Sequence, residues 1–237
     1  MKKLIPAQIA LRKVAKAKNV EALKYFFKTG PGEYGEGDEF IGVSVPTNRH
    51  VALKFLDISD KDLSLLLHSP VHEDRALGLH ILTEKYRKTK DLKTRKALVN
   101  FYIKHRKFVN NWDLVDMSCY KILGHYCNLI KDHSLLIKLS NSKVHWDKRI
   151  AMVGTMALIR EHDLDLTFQF AERFLNEKED LMHKASGWLL REAGKKDKKR
   201  LLKFIERFGK RMPRTMLRYA IEKLAPDHRK EILLKTK

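Results

Sequence analysis

The sequence predicts an all-α fold built from stacked helix pairs. Three observations carry this. Apolar residues recur at three- and four-residue steps rather than in alternation, only six prolines occur in 237 residues, and similar blocks return about every 36 residues. In such a stack, equivalent residues on successive second helices line one concave face, and no domain boundary is expected within the array, so residues 1–237 read as a single repeat domain.

Along the chain, residues 8–28 carry Ile9, Val14, Leu23, Phe26 and Phe27 among lysines and read as an N-terminal helical extension. Residues 30–45, GPGEYGEGDEFIGVSV, hold five glycines and four acids and read as a loop. It lacks the Lys–Ser/Thr ending of a nucleotide-binding glycine loop. It is expected to wrap the N-terminal helix onto the first repeat, its acids serving as turn formers or salt-bridge partners. Segments 60–67 (DKDLSLLL) and 132–139 (DHSLLIKL) fit first helices of pairs. Leu92, Leu98, Phe101, Tyr102 and Phe108 mark a helix over 92–109. Trp112, Val115, Cys119, Ile122, Leu123, Tyr126, Leu129 and Ile130 mark another over 112–130, with Cys119 in its core stripe. Pro46, Pro70, Pro213 and Pro226 fit first turns or linkers. The returning blocks are 71–82, 109–123, 144–158, 179–193 and 213–224. Anchored on Arg75, Trp112, Arg149, Lys184 and Arg218, they step by 37, 37, 35 and 34 residues.

Composition narrows the function. An apolar fraction of 43% excludes a disordered chain. Two cysteines, Cys119 and Cys127, exclude a disulfide scaffold and a Cys-rich zinc site. No apolar run reaches the roughly 20 residues of a membrane span, and the N-terminus lacks a secretory pattern, so a cytoplasmic protein is expected. The net charge is +20, spread along the chain, which favours a polyanionic partner, nucleic acid before an anionic membrane surface. The densest patch runs from Lys195 to Arg211 and includes Lys196, Lys199 and Lys203. It fits either phosphate contact or a solvated helical face.

Three tryptophans, Trp112, Trp146 and Trp188, all fall in the repeat blocks, where they could simply fill helix seams. Trp112 and Asp116, four residues apart, share a helical face. Asp113 can cap the helix or complement its dipole, whereas Asp116 lies a turn deeper, where capping does not explain it. Arg149, in the matching place one repeat later, could pair with Asp116 or clamp a phosphate. Trp188 follows Gly187, which leaves room for close approach, and precedes Arg191. The set reads as a concave basic face bearing Asp116, Arg149 and two exposed indoles. The eleven histidines show no metal-ligand spacing, and no serine sits in a nucleophile elbow, so neither metal nor cofactor is expected.

From about residue 20 to 230 the chain resembles the DNA alkylation repair glycosylases built from HEAT-like repeats. The resemblance rests on the glycine-rich stretch at 30–46, NNWDLVD, WDKRIA, GWLLREAGK and the run from Met212 through Lys223. It implies a right-handed superhelical solenoid with a positively charged concave groove for duplex DNA. It further implies excision of N3- and N7-alkylated purines without base flipping, with Trp112 and Trp188 as the tryptophan pair, Asp116 as the catalytic aspartate and Arg149 as the important arginine. On this basis the DNA-binding set is Arg149, Lys148, Arg191, Lys195, Lys196, Lys199, Arg214 and Arg218, acting in a monomer that associates with the nucleoid when bound to DNA. Two alternatives compete: a non-enzymatic module binding distorted or branched DNA, and a protein-binding helical scaffold, which the +20 charge disfavours.

Overall fold

The computed structural model describes residues 4–237, which form sixteen α-helices with short 3₁₀ and π segments, and the only extended pairing among them is a parallel bridge between Glu39 and Val71. Residues 1–3 of the expected domain lie outside the described residues. Contacts group the chain into two compact units, residues 1–118 and 119–237. Among the described residues no helix is long and apolar enough to cross a membrane.

The first unit holds α1 (Pro6–Lys13), α2 (Val20–Phe26), α3 (Val45–Ala52), α4 (Asp60–Leu67), α5 (His72–Lys88), α6 (Leu92–His105) and most of α7 (Trp112–Cys119). The 60–67 segment is helical over its whole expected length, with Ser59 capping Asp62 N. One continuous helix over 8–28 is not what forms. The segment breaks into α1, a 3₁₀ turn at Ala17–Asn19, and α2. Between them Lys16 N turns away to donate to Gly42 O at 3.3 Å. Ile9, Val14 and Phe26 are exposed, so the apolar residues of this stretch do not form one buried stripe.

The core of this unit is α5, which α3 and α4 flank. Its first turn is unusual in being charged and buried: His72, Glu73, Asp74 and Arg75 are each at most 4% exposed. Every one of them is partnered. Asp74 accepts from Gln8 Nε2 (2.9 Å), both terminal nitrogens of Arg12 (2.7 and 2.9 Å) and Ser69 Oγ (2.8 Å), which fastens α1. Glu73 accepts the backbone amides of Gly42 (2.8 Å), Ile41 and Val43 (each 3.1 Å), which fastens the glycine-rich loop. His72 bridges two carboxylates, Asp38 Oδ2 at 3.0 Å and Asp113 Oδ2 at 2.8 Å, which fastens the loop's acidic end and α7. Arg75 completes the set with Asp38 Oδ1 at 2.6 Å.

The loop at 30–45 wraps as the sequence predicts, and its acids divide into the two expected roles. Glu33 and Glu36 close turns by accepting Gly30 N and Gly32 N, while Asp38 forms the ion pair with Arg75. At Gly42, with φ +87°, a Cβ would stand 2.1 Å from Lys16 O. At Gly35 it would stand 2.3 Å from Phe27 O. These two positions take glycine because other backbone passes where a side chain would be.

The second unit holds α8 (His125–Leu129), α9 (Ser134–Ser140), α10 (His145–Gly154), α11 (Met156–Arg160), α12 (Asp165–Arg173), α13 (Asp180–Lys196), α14 (Lys198–Phe208), α15 (Arg214–Ala220) and α16 (Pro226–Lys235). The helix expected over 112–130 runs from α7 through a π segment at Tyr120–Gly124 into α8, with Cys119 buried as expected. The helix expected at 132–139 starts at Ser134. Helices pack in pairs, α9 on its neighbour α10, and α13 on α15 with α14 between them in the chain.

The repeat is visible in atomic detail, but its register differs from the sequence anchors. In one copy, Ser69 Oγ donates to Asp74 and accepts Val71 N. In another, Ser142 Oγ donates to Asp147 (2.9 Å) and accepts Val144 N (3.1 Å). The conserved geometry is therefore Ser-x-Val-His-x-Asp at the head of α5 and of α10. His72 matches His145, and Arg75 matches Lys148 rather than Arg149. Charge type misled the alignment by one residue.

Two measurements check this account. Gly42→Ala should cost about 1–3 kcal/mol more than Gly37→Ala in denaturant unfolding, because both have positive φ but only Gly42 meets backbone. Equal costs would refute the close-approach argument. The second concerns His72. Burial works to lower its pKa, but the hydrogen bonds to Asp113 and Asp38 outweigh burial and raise it from 6.5 to about 9. A raised folded-state pKa adds stability that is complete below the unfolded value and is lost as pH climbs through the folded one. Wild type should therefore lose roughly 3 kcal/mol relative to His72→Gln between about pH 6.5 and pH 9. Parallel curves for the two proteins across that window would rule out the charged bridge.

Candidate nucleic-acid interface

In the first unit, the site grows from the head of α7. Asn111 precedes the helix, accepts Trp112 N on Oδ1 at 2.8 Å and directs Nδ2 toward Asp38 Oδ2 at 3.4 Å. Trp112 is the first residue of α7 and is part-buried. Its indole stacks on Phe27 (5.7 Å between centroids, 23°), and Phe27 stacks in turn on Phe40 (5.2 Å) and lies against His72 (4.7 Å). Phe26, 58% exposed, meets the indole edge-on at 5.7 Å. The ring is thus oriented by an aromatic column standing on the buried His72 bridge. Asp113 does not cap its helix; it is spent on His72. Asp116, one turn beyond Trp112, is part-buried and shares its face.

In the second unit, Arg149 and Trp188 are linked through α13. Arg149 is buried, at 4% exposure, and its Nη1 donates to Leu181 O in the first turn of α13. Trp188 stands two turns further along the same helix and is part-buried. The expectation of two exposed indoles is corrected: each has part of its surface covered, Trp112 by phenylalanines and Trp188 on a helix packed against α15. Gly187 permits that packing, since a Cβ there would stand 2.4 Å from Met216 O. Trp146 is part-buried against the His145 ring at 4.8 Å.

The basic residues divide by availability. Lys148 pairs with Glu177 at 2.6 Å, Lys195 with Glu192 at 2.7 Å, and Arg191 with Glu192 and Glu222. Lys196 Nζ lies 3.2 Å from His162 Nε2. Arg214 donates to the carbonyls of Leu233 and Thr236. Lys199 and Arg218 are exposed. Pairs near the surface are worth little, so Lys148, Lys195 and Arg191 can exchange a carboxylate for a phosphate at small cost. The run 198–208 is an amphipathic helix that buries Leu201, Phe204, Ile205 and Phe208 and exposes Lys198, Lys199, Lys203 and Arg207. Among the described residues, no three His, Cys, Asp or Glu side chains are grouped to hold a metal.

Sequence reasoning missed the Asp38–His72–Asp113 bridge and the Phe26 and Phe27 contacts to Trp112. The signal for the first was present, a His-Glu-Asp-Arg run heading an otherwise apolar helix. The second had none, because Phe27 meets Trp112 across the fold.

Three comparisons bear on identity. A search of curated proteins finds no match to the chain. A solved structure described as a "Predicted DNA alkylation repair enzyme from Enterococcus faecalis" matches with a TM-score of 0.68, covering 90% of this chain and 97% of that one at 15% identity, a likeness of fold. The model of the family described as DNA alkylation repair enzyme matches residues 7–224. With nearly the whole chain matched, this protein belongs to the DNA alkylation repair enzyme family.

Proposed function

We propose that the chain is a DNA glycosylase that hydrolyses the N-glycosidic bond of N3- and N7-alkylated purines in duplex DNA and leaves an abasic site, without flipping the base. The observation that carries this reading is the placement of Trp112 and Asp116 one turn apart on one face of α7, in a member of a DNA alkylation repair family.

The chemistry asks for little beyond those groups. Alkylation at N3 or N7 makes the purine cationic, so it leaves without a general acid. As the bond breaks, positive charge grows on the deoxyribose, and the Asp116 carboxylate stabilises it and orients or deprotonates the attacking water. The faces of Trp112 and Trp188 hold the cationic nucleotide, contributing about 0.5–2 kcal/mol each. Arg149 acts through position: by holding Leu181 O it fixes the start of the helix that carries Trp188. Lys148, Arg191, Lys195, Lys196, Lys199, Arg214 and Arg218 supply phosphate contacts. No metal or organic cofactor enters the scheme, and the enzyme acts as a cytoplasmic monomer associated with the nucleoid.

The direct test is base release from a duplex carrying one N7-methylguanine, read as strand cleavage after mild alkali. Asp116→Asn should bind the duplex like wild type and release base at least about 100-fold more slowly. Undiminished release by the variant would remove Asp116 from the mechanism. Duplex affinity should also fall steeply between about 50 and 200 mM salt, as expected when several phosphates displace counterions. If neither N7-methylguanine nor N3-methyladenine is released while binding stays tight and salt-sensitive, the alternative reading takes over, a non-enzymatic module for distorted or branched DNA.

A further inference from the structure

We propose that the cleft between α15 and α16 is a seat for the phosphodiester backbone of a DNA strand, which deepens the reading above and rests on it. The cleft is a broad depression, open to solvent, of about 400 Å³. Five cations line it: Arg214, Arg218, Arg229, Lys230 and Lys237. No Asp or Glu side chain lines it, and among the described residues none forms an ion pair with any of the five. Like charges gathered without counter-charges repel one another, and a polyanion relieves that repulsion.

Two details point to a phosphate rather than to a merely soluble surface. Arg229 lines the cleft with no carboxylate partner and no hydrogen bond to its Nε, so its guanidinium is uncommitted. Arg214 is held rigidly, donating to Leu233 O and to the carbonyl and hydroxyl of Thr236, so the guanidinium is pre-positioned at the wall. The rest of the wall is apolar: Pro226, Leu233 and Leu234. A phosphodiester chain alternates anionic phosphate with apolar sugar edges and uses both kinds of surface, whereas inorganic phosphate uses only the cations. The cleft is also tied to the indole. Arg214 and Arg218 lie four residues apart on α15, and the backbone of α15 at Met216 abuts Gly187, the neighbour of Trp188. A strand held in the cleft is therefore held at a fixed offset from the helix that presents Trp188.

The experiment measures binding of a short unmodified duplex by fluorescence anisotropy from about 50 to 200 mM KCl, with the full chain. Arg218→Ala combined with Arg229→Ala should weaken affinity about tenfold and lower the salt slope by about 1–2, since each phosphate contact contributes about 0.9. Arg218→Gln with Lys230→Gln, both exposed positions, guards against misfolding of the first variant and should lower the slope as well. An unchanged slope in this second pair, with wild-type melting, overturns the proposal. So does a result in which inorganic phosphate, titrated by calorimetry, loses its binding in the variants while the duplex slope is unaffected, because the cleft is then a site for the free anion. Base release from an N7-methylguanine duplex, measured in parallel, separates the two readings. Release with no slope change sinks the cleft alone, and a slope change with no release sinks the glycosylase alone.

Discussion

The first turn of α5 is the constraint on which the rest of the N-terminal unit depends. Four consecutive charged residues are buried there, and an unpartnered buried charge costs several kcal/mol. The fold meets that cost by bringing three separate segments to them. Asp74 holds α1, Glu73 holds the glycine-rich loop, and His72 with Arg75 holds the loop's acidic end, with α7 joined through Asp113. The carboxylates also sit at the positive end of the helix dipole, which favours them, while the imidazolium there is disfavoured and is kept only because two aspartates flank it. Such a network specifies position more than it adds stability: removing one partner strands another.

This explains why a loop of glycines and acids sits in a basic, helical chain. Glu73 needs successive amides from extended backbone, which a helix cannot offer, and the loop supplies Ile41, Gly42 and Val43. The same loop brings Phe40 against Phe27 and His72, and Phe27 sets the plane of Trp112. The indole is thus oriented by a chain of contacts that starts from buried electrostatics. It rests on a stacked column, with Phe26 closing one edge.

Much of this was legible in the sequence, and the missing parts share a physical cause. Helical periodicity gave the fold class, and DKDLSLLL gave α4 over its whole length, because local pattern and capping decide those features. The pairing of Trp112 with Asp116 on one face followed from spacing alone. The register slip at Arg75 arose because a charged residue type was used as the anchor, whereas the repeating unit is the Ser–Asp hydrogen bond at the helix head. The single helix over 8–28 failed because a tertiary bond, Lys16 N to Gly42 O, draws the chain out of it. Arg149 was read as pairing with Asp116 or clamping a phosphate. That its guanidinium reaches a backbone carbonyl of α13 depends on packing that no sequence spacing encodes.

The distribution of charge bears on function as directly as any single residue. Asp38, Glu73, Asp74 and Asp113 are withdrawn from the surface into the network at α5, and Asp147 is buried at the head of α10. Against these, Arg75 and Arg149 are buried, and His72 is charged below about pH 9. Glu73 has no cation in its set of amide donors, so part of the negative charge is neutralised by backbone dipoles rather than by lysine or arginine. These five acids do structural work inside, while cations such as Lys199, Lys203 and Arg218 stay outside. The surplus of exposed cations is carried on folded helices, where a net positive charge favours a polyanionic partner. Positioning at the head of α5 and the surplus of cations on the surface both draw on the few acids that this network withdraws from solvent.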